Sequence, residues 1–345
     1  MAPALSDVAL LVRALRDPSS LPLETDWLSL LTIARAEQLI GTLAHRFAGL
    51  PLPEVVAATL HDARASAEAG RRAALWEAEM ARRVLAPIGC RIVLLKGTAF
   101  VAAGLMAGQG RSIGDLDILV PRDALGAVEA ALLSAGWEWV KPDPYDDAYY
   151  REHMHELPPL IHRERDRMID VHHAILPLTA RITPDSAALI GNAQALANGL
   201  FTLAPADMIV HAAAHLLADG DLAGGLRNLW DIHCLIEEFG SEGLEDRARS
   251  HGLEAQVRQV ARQAHRLFGT AIPTEWSRWT IVDWLIRRRL LARDGWGRPT
   301  RPATRLGFYV RSHWLRMPPV MLARHLWVKS RRGAPASGSA RHNDR

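Results

Sequence analysis

From residue 5 to about residue 85, apolar side chains recur three and four positions apart with almost no β-branched runs. "WLSLLTIARAEQLIGTLAHRF" and "PEVVAATLHDARASAEAGRRAALWEAEMARRVLAPI" show this most plainly, and the period lays one apolar stripe along a helix. Gly89 breaks it. "RIVLL" (Arg91 to Leu95) then reads as a short buried strand, and "KGTAFVAAGLMAG" as a strand-to-helix junction with a short helix. "DLDILV" is a second strand. "PRDALGAVEAALLSAG" predicts a helix with Pro121 near its first turn and Gly136 at its stop. "WEWV" predicts a third strand. "HELPPLIH" and "RMIDVHHAI" flank the polar "RERDR" as hairpin arms would, and Pro158 and Pro159 demote the first arm to an edge or irregular strand. After about residue 180 the helical period returns in "ADMIVHAAAHLLAD", "LRNLWDIHCLIEEF" and "LEAQVRQVARQAHRLFG".

The pattern predicts an α+β fold in which a small mixed sheet is flanked by helices on both sides in sequence. The expected divisions are a helical region at 1–88, an α/β core at 89–180 and a helical domain at 181–280. A basic Trp/Arg-rich region at 281–332 and a small-residue, disordered tail at 333–345 complete the chain. At 345 residues the chain is long enough for two domains or one large one, and its 49% hydrophobic and 23% charged residues are ordinary for a globular protein.

Cys90 and Cys234 are far apart and form no CxxC pair, so neither a disulfide framework nor a cysteine metal site is expected. Asp7 and Arg13 interrupt the N-terminus where a signal peptide needs an apolar core. The longest uncharged run, Ser186 to Ala206, is too polar to span a bilayer. A cytoplasmic protein without a transmembrane segment is expected. Net charge is +3, unevenly placed: Arg287 to Arg345 holds 15 Lys and Arg against two acids, and the remainder holds 26 basic and 36 acidic residues. A basic end beside an acidic body points to an anionic partner or to docking of the one onto the other. The tail "RLGFYVRSHWLRMPPVMLARHLWVKSRR" suits RNA, an acidic membrane face or an acidic protein. The plainer expectation is that its aromatics pack on the body while its arginines face water.

The chemistry concentrates in the sheet. Alternation along "DLDILV" puts Asp115 and Asp117 on one face and Leu116 and Ile118 on the other. "IDVHH" likewise puts Asp170 and His172 on one face. "LLKGT" brings Lys96, Gly97 and Thr98 to a strand end opening into a helix, where backbone N–H groups and a permissive glycine suit phosphate oxygens. Three aspartates from two adjacent strands make a cluster of hard oxygens, the kind of site Mg²⁺ takes when it also binds a triphosphate.

"GT" after a strand, then "DLDILV", then a later "IDV" resembles the polymerase-β-like nucleotidyltransferase superfamily. More closely, "VLLKGTAF…GRSIGDLDILVP…MIDVHHAIL…ADMIVHAAAHLL…LRNLWDIHCLI" resembles a bacterial family labelled uncharacterised nucleotidyltransferase, over roughly residues 25 to 240. Gly97-Thr98 stands where the superfamily has Gly-Gly/Ser, and 17 residues separate Gly97 from Asp115, more than is common. That gap includes "AGQGRSIG", expected as a flexible loop that closes over a nucleotide. The resemblance implies transfer of a nucleoside monophosphate from an NTP, ATP foremost, to a hydroxyl-bearing small molecule or protein. It implies that Asp115, Asp117 and Asp170 hold a pair of Mg²⁺ ions, with Asp170 also activating the acceptor. Lys96, Gly97, Thr98 and Arg111 would face the phosphates, and His172 would stand behind the ligands. The alternative is a non-catalytic nucleotide- or partner-binding regulator, antitoxin-like, on the same fold.

Other residues have plainer expectations. His211 and His215 have the i, i+4 spacing of a helical metal pair but lack the neighbouring Glu of HExxH, so packing is expected. Arg227 and Asp231, also i, i+4, suggest a helix-surface pair or a brace. His153 and His155 are expected at the surface, and both cysteines as buried thiols.

Overall fold

The computed structural model describes residues 7–316 apart from 23 and 141–143, so the tail at 333–345 and residues 317–332 of the basic region lie outside the described residues. The helical period of the first 85 residues resolves into α1 (Asp7–Arg16), α2 (Trp27–Ala36), α3 (Ile40–Arg46) and the 32-residue α4 (Glu54–Leu85). Asp26 starts α2 by accepting the Ser29 backbone N–H, one of the donors a helix start leaves unpaired.

Seven strands follow in one mixed sheet: β1 (Val93–Leu94), β2 (Asp115–Leu119), β3 (Trp137–Trp139), β4 (Leu160–His162), β5 (Met168–His172), β6 (Gln194–Ala195) and β7 (Phe201–Thr202). Their order is β3-β4-β5-β2-β1-β7-β6. β2 lies inside, antiparallel to β1 and parallel to β5. The parallel register sets Asp117 opposite Asp170 and Leu119 opposite His172. α5 (Lys96–Ala102) and α4 pack against β2, and α6 (Leu125–Ser134) packs against α4 and β3. Covered this way, Leu116, Ile118 and Leu119 are all buried, each contributing about 1.5–3 kcal/mol of transfer free energy.

β4 and β5 form the expected hairpin, but Pro158 and Pro159 do not place β4 at the edge. β3 takes that position. The prolines precede the strand: the Pro159 carbonyl accepts the Val140 N–H at 3.0 Å, but proline has no N–H to return the bond, and the ladder stops there. Between β3 and β4 lies α7 (Pro144–His153), which the apolar period did not signal.

The C-terminal half holds α8 (Ser186–Gly191), α9 (Pro205–Ala213), α10 (Gly225–Phe239), α11 (Leu244–Ser250) and α12 (Glu254–Phe268), then α13 (Ile281–Leu290) and α14 (Pro302–Arg316). α9 continues as a π-helical stretch, Ala214–Asp219. One apolar cluster draws side chains from Val8 in α1 to Phe308 in α14, so the helical regions and the sheet share a core. Among the described residues no helix is long and apolar enough to cross a membrane.

Among the described residues the basic region only partly follows its expected arrangement: Phe308 packs into the core, while other aromatics stay outside. Several arginines reach the body: Arg293 bonds Glu37, Arg311 donates to the Leu217 carbonyl at 2.8 Å, and Arg289 lies 3.6 Å from Asp221. Trp284, Trp296, Tyr309 and Trp314 are instead 46–64% exposed. Opposite charge between this segment and the acidic body draws the guanidinium groups inward, and Trp284 and Trp314 then lie beneath Arg288 and Arg181.

Nor is "AGQGRSIG" a free loop. Met106–Gly108 form a 3₁₀ turn, and Thr42 Oγ1 donates to the Gln109 carbonyl at 3.1 Å. Gly110 has a φ of 64° and meets Gly41 so closely that a Cβ on either would strike the other's carbonyl. Gly110→Ala combines a strained backbone conformation with a backbone collision, so it should cost about 2–5 kcal/mol. Urea unfolding of the variant against the wild type measures this, and an unchanged midpoint would show the contact to be slack.

Candidate active site

β1 ends at Leu94 and β2 begins at Asp115, and both open toward a cavity of about 700 Å³. Lys96, Gly97, Arg111 and Ser112–Gly114 line one side, Ile161, Asp166, Arg167 and Met168 another, with Asp115 and Asp117 between them. Gln38, Lys96 and Asp166 have φ values of 56°, 48° and 52°, and all three border this cavity. Non-glycine residues in that region are strained by about 1–3 kcal/mol and cluster at functional sites.

Alternation and parallel pairing together bring one ligand atom each from Asp115, Asp117 and Asp170 within 4.8 Å of one another. Lys96 Nζ donates to Asp117 Oδ1 at 2.6 Å, and His172 Nε2 lies 3.0 Å from the same oxygen. Burial would raise the Asp117 carboxyl, but Lys96 and His172 hold it well below the usual carboxylate range. Burial opposes the charge on Lys96, but Asp117, with Asp115 and Glu156, holds the ammonium above its ordinary value. Asp115 is raised by burial and by Asp117 beside it. Asp170 is pushed up to about 7, first by burial and then by Asp117 and Glu156. Its Oδ1 is buried without a hydrogen-bond partner.

A divalent cation answers these features. It would take the orphaned oxygen of Asp170 and relieve the repulsion that raises Asp115 and Asp170, and the all-oxygen donor set suits Mg²⁺ or Mn²⁺.

The remaining expected residues divide. Gly97 lines the cavity, and its missing side chain makes room for Arg111, whose Nε a Cβ there would strike. Thr98 is 1% exposed, off the cavity wall, with its hydroxyl unpartnered. Arg111 borders the cavity but is anchored behind it: its guanidinium bonds Asp231 and lies 5.7 Å above the Phe100 ring. Arg227 shares Asp231 and donates to Thr42 Oγ1 at 2.6 Å and to the Ala107 carbonyl at 3.3 Å. This is a buried brace joining α10, α3 and the 103–114 segment rather than a surface pair.

His211 and His215 line a smaller space of about 50 Å³ with Lys96, Phe100 and Arg111. Burial, then Lys96, keeps His215 neutral, at about 3. His155 departs from its expected surface position: it is 7% exposed, its ring 5.3 Å from that of His172. Its neighbour Glu156 pairs with β5 beside it. Gln38, Asp166, Arg167, His155 and Glu156 escaped sequence reading. The "HMH" doublet was the one available signal, and its polar surroundings pointed outward. Cys234 is buried as expected, and Cys90 is half-buried.

Because Asp170 must lose its proton to bind a cation, Mn²⁺ or Mg²⁺ should bind more tightly as pH rises through 7. A single group at that value predicts about a tenfold gain in affinity between pH 6 and pH 8. Calorimetric titration at the two pH values tests this, and equal affinities would remove Asp170 from the ligand set.

The model of a family described as uncharacterised nucleotidyltransferase matches residues 24–269. No curated protein matches the chain. Among solved structures, the antibiotic-resistance factor ANT(2'')-Ia, studied in solution for its substrate-regulated conformation dynamics, aligns at 13% identity with a TM-score of 0.37. The alignment covers 54% of this chain and 95% of that one.

Proposed function

The chain belongs to the uncharacterised nucleotidyltransferase family, and from that premise we propose that it transfers a nucleoside monophosphate from an NTP, ATP foremost, to a hydroxyl-bearing acceptor. The observation that carries the proposal is the aspartate cluster: three carboxylates within 4.8 Å of one another, with Asp170 pushed up to about 7 and Asp115 and Asp117 lining a 700 Å³ cavity. Such repulsion is retained where a cation is to be bound, and the cavity has room for a nucleotide.

Asp115, Asp117 and Asp170 would hold one or two Mg²⁺ ions. The bound metal would supply charge neutralisation for the triphosphate and lower the pKa of a coordinated hydroxyl. Lys96 would offset phosphate charge from its position on Asp117, and Arg111 and Arg167 from opposite walls. The Asp231 brace holds Arg111 in place before substrate arrives, so its ordering entropy is not lost at the moment of binding. Asp170 is the proton acceptor. As the acceptor oxygen forms its bond to the α-phosphorus and the bond to pyrophosphate breaks, the hydroxyl proton passes to the Asp170 carboxylate.

Asp115→Asn and Asp170→Asn each remove a repulsive charge. They should therefore melt at or above the wild-type temperature while losing pyrophosphate release by about 10²–10⁴-fold. The assay supplies each NTP with Mg²⁺ and host lysate and follows both pyrophosphate and label transfer. Undiminished release in Asp115→Asn would overturn the reading.

One observation favours the regulator reading. Lys96 forms an ion pair with Asp117 and His172 hydrogen-bonds the same oxygen, which would let the fold hold a nucleotide without chemistry. That reading requires nucleotide-dependent thermal stabilisation and no pyrophosphate release with any acceptor.

A further inference from the structure

On the side of His172 away from Asp117, a second group of ligands converges. Glu156 Oε2 lies 3.3 Å from His172 Nδ1 and 3.9 Å from His155 Nε2. One ligand atom from each of the three residues lies within 4.8 Å of the others. The site is built from buried backbone. Leu157 N–H donates to the Val171 carbonyl at 2.9 Å and His173 N–H to the His155 carbonyl at 2.8 Å. His172 is 2% and His155 7% exposed. His155 Nδ1 has no hydrogen-bond partner, and its Nε2 is too far from Glu156 to donate to it.

A carboxylate oxygen can only accept, so the bond to Asp117 assigns a proton to His172 Nε2. That leaves Nδ1 to face the Glu156 carboxylate, 3.3 Å away. A ring nitrogen and a carboxylate oxygen at that spacing can hold a cation between them, and the His155 ring, 5.3 Å from that of His172, stands beside the same carboxylate. Imidazole ligates metal through a bare nitrogen.

Donor atoms around a four-coordinate zinc ion lie about 3.4 Å apart, given bonds of roughly 2.1 Å. The 3.3 Å separation already has that value, and a modest turn of the Glu156 or His155 side chain closes the 3.9 Å one. Metal-bound histidines characteristically donate their other N–H to a carboxylate, as His172 does to Asp117.

We propose that His155, Glu156 and His172 form a second metal site for a zinc-class divalent ion, distinct from the all-oxygen aspartate cluster. Two nitrogens and a carboxylate select Zn²⁺ or its transition-metal neighbours over Mg²⁺. The ion fastens residues 155–157 onto β5 and locks His172 in the tautomer that donates to Asp117. It therefore sets the charge balance of the neighbouring cluster without touching substrate.

The test uses the full chain, stripped with chelator and titrated with Co²⁺ in excess Mg²⁺. We expect one equivalent of Co²⁺ to give the intense visible bands of a four-coordinate, nitrogen-ligated ion, displaced by Zn²⁺ and not by Mg²⁺. Asp115→Asn should keep the bands, whether or not it turns over NTP, while His155→Ala and the isosteric Glu156→Gln should each lose them. Circular dichroism checks that the variants are folded, and Glu156→Gln decides if His155→Ala is not. The proposal is overturned if the wild type shows no such bands, if a folded His155→Ala or Glu156→Gln keeps them, or if Asp115→Asn abolishes them.

Discussion

Parallel pairing of β2 with β5 puts two aspartates at the same level on neighbouring strands, Asp117 opposite Asp170. Asp115 projects from the same face of β2 two residues away. Like charges at that spacing repel, and the low-dielectric core behind the sheet makes the repulsion larger than it would be in water. The rest of the site can be read as a response to it. Lys96 and His172 both converge on one oxygen of Asp117, leaving Asp115 and Asp170 to carry the residual strain as raised affinity for protons. That residual strain is what a divalent cation would relieve.

The supporting framework holds the compensating charges still. Lys96 occupies a left-handed backbone conformation that turns it from the end of β1 toward Asp117. Arg111 is fixed by Asp231, which Arg227 also bonds, and Arg227 is in turn held by Thr42 and the Ala107 carbonyl. Gly41 and Gly110 let α3 and the 103–114 segment touch backbone to backbone. These contacts join elements as much as 185 residues apart in the chain, so positioning the phosphate-facing groups is a task of the whole core.

Much of the site was legible because its signals are local. Alternation in "DLDILV" and "IDVHH", and a Lys-Gly step after an apolar run, depend on neighbouring residues alone. The helices at both ends follow from apolar periods of the same kind. What was illegible depends on tertiary contact. Glycines in "AGQGRSIG" suggest mobility until Gly41 is seen against Gly110. "HMH" reads as surface because Glu152 and Glu156 flank it, yet pairing with β5 carries His155 inward. The short β6 and β7 have too few residues for any period. In the basic region the inward turn of some arginines was illegible because they answer to acids such as Glu37 and Asp221, far away in sequence.

The central claim is that Asp115, Asp117 and Asp170 are a cation site, with Lys96 standing on Asp117 until the ion and nucleotide arrive. Crystals grown with Mn²⁺ and a non-hydrolysable NTP analogue test it through anomalous scattering. The account predicts an anomalous peak among the three carboxylates, with Lys96 turned from Asp117 toward the phosphates. Saturating Mn²⁺ with no peak there, and Lys96 still bonded to Asp117 beside a bound nucleotide, would contradict it.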